Sequence, residues 1–150
     1  TDMNNMFHYA TAFDRDIGEW DVATVADMHW LFYDAYAFNQ DIGEWNVAVV
    51  TDMNYMFSTA RVFNQDLGDW DVAAVTDMSW MFWNTNEFNQ DISDWDVTAV
   101  TDMSFMFANA NAFAGGLGPW CDDARMYQFD KSSGCIMYNC GADGHLTGDC

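Results

Sequence analysis

The sequence predicts an α/β solenoid, and three observations lead there. Tryptophan falls at 20, 45, 70, 95 and 120, and phenylalanine at 7, 32, 57, 82 and 107. Self-similarity at one fixed period, here 25 residues without insertion, marks repeats that stack on their neighbours. Within the third copy, Met53, Met56, Phe57 and Ala60 follow the three, four and seven spacing of one helical face. Past Phe63 the pattern changes to Leu67-x-x-Trp70-x-Val72, the spacing of a short strand. One copy alone buries too little apolar surface to offset its backbone entropy. Function therefore has to be sought on the array.

The elements of each copy follow in order. Thr51 stands where a helix N-cap belongs, and Asp52 places a carboxylate in the first turn, at the positive end of the helix dipole. The spacing predicts a short helix from there. Gly68, with Gly18, Gly43 and Gly118 in the same column and Ser93 replacing it once, suits a tight bend. Asp69 to Val72 is then read as a strand, with Asp71 facing solvent, and parallel strands would stack at about 4.8 Å per repeat. Residues 1–120 form the five-repeat solenoid. The fifth copy decays at Ala114-Gly115-Gly116, so 121–150 is read as a Cys-rich C-terminal cap or assembly module. The repeat frame is already running at Thr1, which predicts a processed product or a segment of something longer.

Leu67-x-x-Trp70-x-Val72 matches the L-x-x-L-x-L spacing of leucine-rich repeats. Together, Met-x-x-Met-Phe, Phe-Asn-Gln-Asp-Ile and Trp-Asp-Val-x-x-Val-Thr-Asp-Met resemble the 25-residue repeat of BspA-like surface proteins, a leucine-rich-repeat variant, over residues 1 to 120. The resemblance implies a leucine-rich-repeat-like stack. It also implies a role in adhesion, surface architecture or protein contact, outside the cell or on its surface. Fold analogy alone does not assign activity.

Twenty-four acidic against four basic residues give a net charge of -20. Such a chain repels phosphate backbones and anionic lipid, which argues against nucleic acid as a partner. No run of eighteen apolar residues occurs, so membrane insertion is not expected. All four cysteines lie in the last thirty residues, an even cluster that suits an oxidising extracellular setting. Asn-x-Ser/Thr glycosylation signals are lacking.

Three sets of residues are candidates for function. The first is the fifth column, Trp30, Tyr55, Trp80 and Phe105, widened by Tyr33 and Trp83. On a helix it points away from the Met-Met-Phe face and forms an exposed aromatic binding stripe for protein or glycan. With period-two alternation it points inward instead. The second is acidic: Asp16, Asp41, Asp66 and Asp91 sit in an oxygen-rich string that loosely resembles a calcium loop, although the ligand set is incomplete. Hydrogen-bonded ladders are the other explanation of that string. The third is the tail, where Cys140, His145 and Cys150 resemble a zinc knuckle whose first ligand position holds Met137. Either Cys135, Cys140, His145 and Cys150 bind zinc, or Cys121, Cys135, Cys140 and Cys150 form two disulfides.

The methionine columns are read as core filler, and His8 and His29 have no nucleophile partner, so a catalytic constellation is not evident. Two readings of function follow. In the first, the chain is a non-enzymatic extracellular structural protein that self-associates head to tail into a fibre or surface layer. In the alternative, it is a monomeric adhesion module for a surface protein or glycan, with calcium as a candidate cofactor.

Overall fold

The computed structural model describes residues 2–114, Leu117 and the backbone of two short strands, β1 (Asn139–Cys140) and β2 (Leu146–Thr147), which pair antiparallel. Among the described residues of the repeats there is no helix. Their only β-pairing is a row of isolated parallel bridges that joins Asp2, Asp27, Asp52, Asp77 and Asp102 in turn. The expected α/β solenoid, with one helix and one parallel strand per repeat, is therefore incorrect. The repeats do lie one on the next, but each is a circuit of turns.

The hydrogen bonds give the physical reason. In the third copy, turn bonds run from the N–H of Met56, Ser58, Ala60, Phe63, Trp70 and Val75 to the carbonyl three residues earlier. Between them, the N–H groups of Met53, Tyr55, Phe57 and Thr59 donate outward, to the carbonyls of Asp77, Ser79, Met81 and Trp83 in the fourth copy at 2.8–3.0 Å. A helix would aim every N–H along its own axis and leave none to join neighbours. The backbone alternates direction because Tyr55 and Thr59, with their equivalents in the other copies, take positive φ, between 54° and 60°. Each is the third residue of a four-residue turn, where a type II turn requires that sign. Likewise, Asp69 to Val72 forms no strand, although Leu67, Trp70 and Val72 are buried as their spacing predicts.

The apolar columns fill the interior. Phe32, Phe57, Phe82 and Phe107 lie in one column with ring centroids 5.5–5.6 Å apart. Phe38, Phe63, Phe88 and Phe113 form a second column at 5.7–6.2 Å. Within each copy the two rings stack at about 4 Å, for example Phe57 on Phe63 at 4.2 Å. Polar ladders run alongside. The indole N–H groups of Trp45, Trp70 and Trp95 donate to the carbonyls of Ile17, Ile42 and Leu67 one repeat earlier. Asn39, Asn64 and Asn89 each offer Oδ1 to the backbone N–H one repeat later. The glycine column is needed for close approach. A Cβ on Gly18 or Gly43 would come within 2.9 Å of the carbonyl oxygen of Asp41 or Asp66 in the next copy.

Candidate binding faces of the repeat stack

The aromatic column lies on the side of the stack. Trp30, Tyr55, Trp80 and Phe105 are half-buried, as are Tyr33 and Trp83. Neither the fully outward orientation of a helix nor the buried one of a strand describes them; in Trp30, Tyr55, Trp80 and Phe105 positive φ turns the side chain onto its neighbour. Trp30 meets Tyr55 at 5.3 Å, Tyr55 stacks on Trp80 at 5.4 Å, and Trp80 on Phe105 at 4.2 Å. Tyr33 stacks beside Trp30 at 5.1 Å, and Trp83 meets Trp80 edge-on at 5.6 Å. Burial raises the Tyr33 phenol above its ordinary range, with Asp34 adding to it, and burial and then Asp77 do the same for Tyr55. Both stay protonated at neutral pH and can donate a hydrogen bond.

The acidic columns act locally as caps. Asp16, Asp41, Asp66 and Asp91, the calcium candidates, are exposed, and each Oδ1 accepts the backbone N–H two residues on, at 2.9–3.0 Å. This is an Asx turn. Asp52 and Asp71 do the same for Asn54 and Ala73, so the helix-start role of the first and the strand role of the second are both corrected. Asp34 accepts a hydrogen bond from the Thr59 hydroxyl across the repeat junction.

One corner departs from this regularity. In the fourth column the copies carry Asn4, His29, Asn54, Ser79 and Ser104. Asn54 and Ser79 return a side-chain hydrogen bond to their own aspartate, at 2.7 and 2.6 Å. At His29 the partner is Asp27, with Nδ1 2.7 Å from Oδ1. The parallel bridge sets Asp52 beside Asp27. One oxygen from each carboxylate and one imidazole nitrogen lie within 4.8 Å of one another, and among the described residues this is the only such group of three metal-ligating side chains. All three residues are half-buried. Burial, then Asp77 and Asp27, hold the Asp52 carboxyl above its usual range against the opposing Asn54 N–H. Sequence reading missed this group because it treated His29 as an isolated histidine. The usable signal was an imidazole replacing asparagine or serine two residues after an aspartate that recurs every 25 residues.

A second feature missed in the sequence is the outer face of the first repeat. Met6 is 52% exposed and Trp20 42%, whereas their equivalents Met56 and Trp70 are 0% and 4% exposed. Phe7 and Phe13 are only partly buried. Among the described residues no donor reaches the carbonyls of Asp2, Asn4, Met6 and His8. Their equivalents Asp27, His29, Leu31 and Tyr33 each accept an N–H from the preceding copy.

A protein-family model described as Mycoplasma protein of unknown function, DUF285, matches residues 1–122. The chain belongs to the DUF285 family. The match spans every repeat, including both side faces and the open face of this DUF285 chain. No curated protein and no solved structure matches it. The tail assignments lie outside the described residues: Cys121, Cys135, His145 and Cys150 entirely, and Cys140 except for its backbone in β1.

Proposed function

We propose that this DUF285 chain is a non-enzymatic, extracellular structural protein of the BspA-like surface type, whose repeat stacks join head to tail into a fibre or surface layer. The observation that carries this reading is the repeat junction, where four backbone N–H groups of one copy donate to carbonyls of the next in the same way at every internal pair. The described face of the first repeat shows what one half of that junction presents: exposed Met6 and Trp20, part-buried Phe7 and Phe13, and four carbonyls in register. Along residues 2–8 the edge offers acceptors alone, so it cannot pair with a copy of itself. It fits an edge that offers N–H groups, such as the trailing side of a repeat. Association of that kind is heterologous and open-ended. Location outside the cell rests on the tail cysteines and on the surface-protein resemblance.

Light scattering and electron microscopy of the purified chain test this. Linear oligomers that grow with concentration are expected, together with their loss in Trp20→Asp while its circular dichroism spectrum stays that of the wild type. A monodisperse monomer at every concentration removes the proposal.

The half-buried aromatic column favours a second reading, an adhesion module. Tyr55 and Phe105 stack on Trp80, and Tyr33 stacks on Trp30, which covers part of their ring faces. Sugars pack on open ring faces, so a protein partner fits this column better than a glycan. Loss of binding in Trp80→Ala, in an assay against a candidate surface partner, would separate this reading from end-to-end growth.

A further inference from the structure

We propose that Asp27, His29 and Asp52 form a divalent transition-metal site that clasps the second repeat to the third. Two carboxylates and an imidazole make up an oxygen and nitrogen donor set of the kind that zinc and its neighbours prefer over calcium or magnesium. The ligand atoms already lie within 4.8 Å of one another, and modest side-chain rotation brings such a set to bonding distance. The second oxygen of each carboxylate receives no donor among the described residues, because the Asx bonds use Oδ1. A cation there would also relieve the like-charge contact of Asp27 with Asp52, which the parallel bridge sets side by side and which no lysine or arginine among the described residues neutralises.

The site belongs to this one junction. At the next junction, between Asp52 and Asp77, the fourth column brings no imidazole: Asn54 and Ser79 give neutral hydrogen bonds to Oδ1 of their own aspartates, and for Asp52 this leaves the second oxygen for the metal. Three protein ligands leave further coordination positions for water or for a group from a partner chain.

The test is zinc titration of the intact chain by calorimetry, with thermal melting alongside. The variants are His29→Asn, which copies the natural residue of the first and third repeats and so keeps the fold, and Asp52→Asn. The tail thiols could take a separate equivalent of zinc, so every titration is repeated after thiol alkylation. The alkylated wild type is expected to bind about one equivalent and to melt higher with zinc than with magnesium. Both variants are expected to bind at least tenfold more weakly and to lose the zinc-dependent rise in melting temperature. Binding that is unchanged in His29→Asn, or absent from the alkylated wild type, overturns the site.

Discussion

At the scale of single residues, the fold depends on side chains held in backbone conformations that most residues avoid. Asn109 has φ of 60° and is exposed, so it isolates backbone preference from packing. Asn109→Val should lower stability by about 1–2 kcal/mol, the penalty of a β-branched residue in the left-handed region, measured by denaturant unfolding. Asp52 gives a pH-dependent case. Its carboxyl is raised in the fold by burial and by Asp77 and Asp27. The folded state therefore holds its proton more tightly than the unfolded chain. That contribution is fully present below the unfolded value and is lost as pH rises through the folded one. Asp52→Asn keeps an oxygen for the Asn54 N–H and removes the charge. With chelator present, its melting temperature should match the wild type at about pH 3 and exceed it at about pH 7.

At the scale of one repeat, the sequence disclosed which residues are inside but not the path of the backbone. Met53, Met56, Phe57 and Ala60 are all fully buried, as their spacing implied. That spacing belongs to any backbone that turns back every three residues, so it fits a train of four-residue turns as well as a helix. The deciding signals were weak: an aromatic at a positive-φ position looks like any other aromatic, and no glycine marks the fifth or ninth column. The aspartates of columns two, sixteen and twenty-one announced local capping but not which element they cap. The phenylalanine ladder gives a direct test of packing. Phe57→Ala, in the middle of the stack, should cost about 3–5 kcal/mol, and Phe7→Ala, at the open face, clearly less. Equal losses in chemical denaturation would contradict the described difference in burial.

At the scale of the whole molecule, stability passes from each repeat to its neighbours, so it should be uneven along the stack. Among the described residues the first repeat is covered on one side only, whereas the third is enclosed on both. Hydrogen exchange should find the amides of Met53, Tyr55 and Phe57 better protected than those of Met3, Asn5 and Phe7, although both sets donate equivalent bonds. Uniform protection would mean that the stack opens only as a unit. The candidate metal corner and the open face become visible only at this scale, because each is made by a relation between copies that no single repeat contains.

The forward-pointing N–H ladder has an electrical consequence. Four peptide groups at each junction point the same way, against one or two at the later junctions that point back, such as Thr76 N–H to the Thr51 carbonyl, so the larger set leaves a net dipole with its carbonyl end negative. A train of such units would be a vectorial polymer: its tips would differ in potential, and cations would gather at the tip that presents carbonyls.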